Sequence, residues 1–124
     1  MKNAKIVAVA VGLTMAALPG LAQAQDGEIG YEKGALAYDA LMSGDNQAAV
    51  EKLESGQLSD PAVMINLGQA YARTGRTGDA AKMFTAAMNS NRSFDLVLAD
   101  GQVIDSRKAA KIALNNLNER MASR

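Results

Sequence analysis

The sequence predicts an all-α fold: two helical hairpins, a short β-hairpin or extended loop, and a C-terminal capping helix. Three observations carry this. Apolar residues between Asp60 and Asn91 recur at helical spacing on two successive stripes. A weaker copy of the same order lies upstream, between Leu36 and Leu53. Glycines and helix-capping residues stand between the stripes, where the chain must turn. A length of 124 residues with 48% hydrophobic and 21% charged residues suits one globular domain.

The first element is read as an export signal over residues 1–24. Lys2 and Lys5 precede an uncharged run from Ile6 to Leu18, followed by the helix breaker Pro19-Gly20 and the small-residue site Ala22-Gln23-Ala24. Cleavage after Ala24 is expected, giving a domain over 25–124 with no stable membrane anchor. An uncleaved anchor or a buried core helix is the alternative, but a spanning helix needs about 20 apolar residues, and Pro19, Gly20 and Gln23 interrupt the extension. The remaining chain holds 11 basic and 13 acidic residues, which argues against nucleic acid as a partner. Charge is unevenly placed, with eight acidic and two basic residues over 25–72 against five acidic and nine basic over 73–124. Such a division fits ordinary solvated faces, or head-to-tail association and a charged partner.

The hairpins come next. Asp60-Pro61 is a helix start, in which the carboxylate accepts from free amides and proline sits where no donor is needed. Met64, Leu67, Gly68 and Tyr71 share one face of that helix. Gly75 suits the turn, Thr77 is expected to cap the next helix, and Ala80, Phe84, Ala87 and Met88 form its apolar stripe. Small side chains at Gly68 and Ala80 let the two helices approach, with Tyr71 and Phe84 filling the space beside them. Upstream, Leu36-Ala37, Ala40, Gly44-Asp45, Ala49 and Leu53 repeat the order, and Gly56 is expected to end the second helix. This pattern resembles the tetratricopeptide repeat (TPR), whose signature has a large apolar residue, Leu-Gly and Tyr in one helix and Ala, Phe and Ala in the next. Methionine stands at Met64 for the usual tryptophan, and Arg92 for the closing proline. The resemblance covers repeat one at about 30–56 and repeat two at about 60–91, and the whole is similar to small exported TPR proteins of Gram-negative bacteria.

Beyond Asn91 the period changes. Phe94 to Leu98 and Val103-Ile104 are β-prone runs around Asp100-Gly101, a dipeptide suited to a tight turn, so a hairpin or extended loop is expected over 94–105. Asp105 or Ser106 then caps a helix over 106–122, in which Ala110, Leu114, Leu117 and Met121 fall on one side. Covering the open end of a repeat stack is its expected role, with a membrane-surface or partner-binding helix as the alternative.

Chemistry is poorly provided for. With no histidine or cysteine there is no imidazole base, thiol nucleophile, disulfide or usual zinc set. Asp95, Asp100 and Asp105 recur every five residues, but Val97 and Ala99 break the alternate-oxygen pattern of a calcium loop. The 75–78 stretch lacks a phosphate-loop Gly-Lys-Ser/Thr. The expectation is therefore no catalysis, no metal and no cofactor. In stacked helical pairs the first helix lines a concave side, which places Tyr31, Tyr38 and Met42 of the first copy and Ile65, Asn66, Gln69 and Arg73 of the second before an extended peptide. The amides of Asn66 and Gln69 with the Arg73 guanidinium suit a backbone or carboxylate, and Tyr31 and Tyr38 offer apolar contact. A periplasmic or secreted adaptor binding a protein or peptide follows, with a constitutive accessory subunit of an envelope enzyme or transport assembly as the alternative. Two pairs and one helix make a small core, so modest stability raised by self-association is expected.

Overall fold

A computed structural model describes residues 7–9, 36–98 and 101–123. Two glycines set its plan. Gly44 and Gly75 both take φ of 83°, a left-handed conformation that side chains disfavour, and each reverses the chain after a helix. Gly44 separates α1 (Tyr38–Ser43) from α2 (Asn46–Glu54), and Gly75 lies between α3 (Pro61–Arg73) and α4 (Thr77–Met88). Acidic caps start two of these helices: Asp45 accepts from the Ala48 amide at 3.2 Å, and Asp60 from the Ala62 amide at 2.8 Å, with Pro61 following. The start of α4 differs from the expectation. Thr77 is its first helical residue, and the capping position belongs to Arg76, whose side chain makes no capping bond and reaches sideways instead. Ser55 rather than Gly56 closes α2.

After α4 come β2 (Asp95–Leu98) and β3 (Val103–Asp105), antiparallel with Leu96 opposite Ile104 and Val97 opposite Val103. Gly101 at φ 88° serves their connection. Asp105 then caps α5 (Ser106–Ala122), accepting from the Arg107 and Lys108 amides at 2.9 and 3.3 Å. The hairpin is locked to this helix by a reciprocal pair. Ser106 N–H donates to the Phe94 carbonyl at 2.8 Å, and the Phe94 amide donates to the buried Ser106 hydroxyl at 3.0 Å. One element departs from the sequence reading: β1 (Val7–Val9), within the run assigned to the export signal, pairs parallel with β2 and makes the sheet order β1-β2-β3. A β-branched stretch is suited to meeting the free backbone groups of a sheet edge. The rest of the signal, the start of repeat one, Tyr31 and Asp100 lie outside the described residues.

Mostly helical content thus stands, with five helices and a small sheet among the described residues. Helix α3 is the axis of the molecule, flanked by α2, α4 and α5 and lying beside β1. Leu53, Ile65, Leu67, Phe84, Leu96 and Leu117 fill one continuous core between these elements. The closest approach is at Gly68, where a Cβ would stand 2.5 Å from Cε1 and 2.7 Å from Cδ1 of Phe84. Glycine there admits the phenyl ring directly against the α3 backbone, and Ala80 of α4 is fully buried.

Candidate functional site

The residues expected to line an open concave wall have mostly been folded inward. Asn66 is fully buried, Tyr38 is 3% exposed and Gln69 is 6% exposed, so none of the three faces solvent as the groove reading required. The reason lies in the position of α3. It packs against α2, α4 and α5 and lies beside β1, so most of its surface is enclosed. Asn66 has become a bridge: its Nδ2 donates to the Leu36 carbonyl at 2.9 Å, holding the entry to the first hairpin against the second. Its Oδ1 is buried without a hydrogen-bond partner among the described residues, which leaves a desolvated acceptor inside the core. Burial, then the charge of Asp39, raise the Tyr38 phenol above its ordinary range.

Of the described candidates, Arg73 and Met42 remain at the surface. Arg73 Nη1 donates to the Leu41 carbonyl at 2.9 Å, spanning from the end of α3 to the end of α1. Partial desolvation, and then the like charge of Arg120 on α5, lower its pKa. Arg73 and Arg120 are thus close enough to repel, and neither has a carboxylate partner among the described residues. Next to the carbonyl that Arg73 holds stands Met42, a large apolar side chain left 40% exposed. Cationic and apolar surface are thus adjacent, an arrangement that can take a carboxylate together with an aliphatic or aromatic neighbour.

A second cluster was not anticipated from the sequence. The Tyr71 hydroxyl donates to Glu54 Oε2 at 2.5 Å, and the Arg76 guanidinium lies 4.2 Å from the Tyr71 ring centre. Arg76 also pairs with Asp79 at 3.0 Å and approaches Glu54 at 3.7 Å. Burial, then the bond to Glu54 and its charge, push the Tyr71 phenol up. The bond to Asp79 is the main cause raising Arg76. This cluster ties α2, α3 and the start of α4 together, and its ions are half-exposed and internally matched, so it reads as a fastening between hairpins. Its only sequence signal is Tyr71 itself.

The hairpin of β2 and β3 bears the third feature. Leu96 is fully buried, whereas Val97 is half-buried and its cross-strand partner Val103 is 60% exposed. Among the described residues no group of three or more acidic side chains converges as a metal-binding set, and no helix is long and apolar enough to cross a membrane. Comparison with protein-family models, with curated protein sequences and with solved structures finds no match to this chain.

Proposed function

We propose that this chain is a non-catalytic adaptor of the Gram-negative periplasm or of the secreted fraction, built from two TPR-like hairpins and binding a protein or peptide partner. The close packing of Phe84 on Gly68 and the left-handed glycine after the first helix of each pair support the repeat reading. The observation that carries the binding reading is the rim formed by Arg73, Arg120 and Met42. Two cations near each other with no carboxylate partner among the described residues have an electrostatic incentive to accept one from outside, and Met42 supplies exposed apolar surface beside the carbonyl that Arg73 binds. The recognised feature is an acidic or C-terminal carboxylate next to an apolar side chain. The proposed contact surface is the rim where α1, α3 and α5 end.

Calorimetric titration of the exported protein with short peptides, each prepared with a free and an amidated C-terminus, tests this. Free-carboxylate peptides ending in an apolar residue are expected to bind at least about tenfold tighter than their amides, and Arg120→Gln is expected to remove most of that difference. Arg120 makes no side-chain hydrogen bond among the described residues, so its replacement leaves the core alone. Equal affinity for acid and amide, or binding unchanged in Arg120→Gln, would refute the rim as the site.

A further inference from the structure

In the sheet order β1-β2-β3, the strand β2 has one edge paired to β3, which follows it directly in sequence, and the other paired to β1, roughly 90 residues away. The distant pairing is parallel, with Val7 opposite Leu96, Ala8 opposite Val97 and Val9 opposite Leu98. Strand β3 cannot replace it, because it already lies on the opposite side of β2. Loss of residues 1–24 would therefore strip the outer edge of β2 of its partner and leave a row of backbone donors and acceptors beside apolar surface at Val97 and Val103. The hairpin itself stays anchored through the Phe94–Ser106 pair, so the edge keeps its shape.

We propose that the outer edge of β2 is a strand-acceptor site. In the full chain Val7–Val9 fill it, and after removal of the leader an extended apolar segment of a partner protein enters it, parallel to β2 and in the same register. Removal of the leader is taken from the export reading given above; the acceptor property is independent of it. Backbone hydrogen bonds supply the affinity, and side chains set the preference. An occupant residue opposite Val97 extends the apolar row made with Val103, and a neighbour opposite Leu96 meets a fully buried side chain of β2. Small and β-branched apolar residues without proline or charge fit that pattern, as the sequence Val7-Ala8-Val9 does.

The full chain provides the first test. Cysteines replacing the register partners, Ala8→Cys with Val97→Cys, are expected to join on mild oxidation, whereas Ala8→Cys with Asp95→Cys, two residues out of register, is expected to stay reduced. For the second, a capped peptide of residues 5–11 is titrated into wild-type full chain, into full chain carrying Ala8→Pro and Val9→Pro, and into processed chain recovered from the envelope. Two adjacent prolines remove a ladder donor whichever of the alternating residues faces β2. Peptide binding is expected to be at least about tenfold tighter to the doubly substituted and processed chains than to wild type, with slowed amide exchange at residues 95–98. Failure of both opened chains to take the peptide overturns the proposal, as does a processed chain that has lost its fold. Dimerisation of the processed chain through residues 95–98 without peptide uptake also overturns it, in favour of a second copy. Recovery of only uncleaved chain from the envelope would defeat the export reading, while peptide uptake by the proline variant would still establish the acceptor edge.

Discussion

Gly68 shows how one missing methyl group decides a helix interface. Alanine in its place would gain about 1 kcal/mol in helix propensity, yet its Cβ would stand 2.5 Å from Phe84 Cε1, a distance no relaxed contact tolerates. Overpacking of this kind costs about 1–3 kcal/mol, so the steric term wins and Gly68→Ala is expected to destabilise by about 1 kcal/mol in urea unfolding. In a Phe84→Leu background the same change is expected to be neutral or favourable, a coupling that a double-mutant cycle reads directly. Tyr71 offers a pH signature. Its folded-state pKa lies above the ordinary 10.0, chiefly through burial and then through Glu54. The folded protein thus keeps a proton that the unfolded chain gives up. That stabilisation is complete below pH 10 and declines as pH climbs through the folded value. Tyr71→Phe is expected to lower stability at neutral pH by about 1 kcal/mol through the lost bond to Glu54, and to flatten the decline above pH 10. Tyr38, raised in the same direction, keeps some alkaline slope in the variant.

Among the elements, α3 and α1 are started by opposite means. Asp60 is 5% exposed and accepts from the Ala62 amide, so Asp60→Ala is expected to cost about 1–2 kcal/mol, measured by thermal or urea unfolding. At the head of α1, Ala37 has φ of 53° and no side-chain cap. That conformation costs an L-residue about 1–2 kcal/mol. Glycine would remove that cost at an unfolded-state penalty of about 0.5–1 kcal/mol and with loss of a buried methyl worth about 0.8 kcal/mol, so Ala37→Gly is expected to leave stability within about 1 kcal/mol of wild type in urea unfolding. Local features of this kind were legible in the sequence. Asp60-Pro61, Gly75, the stripe of Ala80, Phe84 and Ala87, and the capping Asp105 each act within a turn or two of chain, and the helices and hairpin could be placed from them. The fate of Asn66 and Gln69 could not. Helix α3 is enclosed by α2, α4 and α5 and lies beside β1, elements drawn from distant parts of the chain. An amide set between Ile65 and Leu67 was the one available sign that a buried bond, such as that to Leu36, was required. Arg73 kept its surface position because it ends its helix.

Over the whole molecule, the two surfaces differ in physics. The binding proposed at Arg73 and Arg120 would be a charge interaction, and raising salt from roughly 0.05 to 0.5 M, which shortens the screening length severalfold, is expected to weaken a carboxylate peptide several-fold. Uptake of the capped residue 5–11 peptide at β2 depends on backbone pairing and apolar contact, so its affinity is expected to hold across the same series. Calorimetry of both peptides on one preparation distinguishes the two sites without any mutation. The long separation of β1 from β2 also carries a meaning in time. A ribosome adds about 5–20 residues per second, and roughly 90 residues lie between Val7 and Leu96. For some 5–20 s of synthesis, then, the N-terminal strand exists before the segment it would pair with has been made, an interval without competition from the protein's own sheet in which the export proposed above would have to begin.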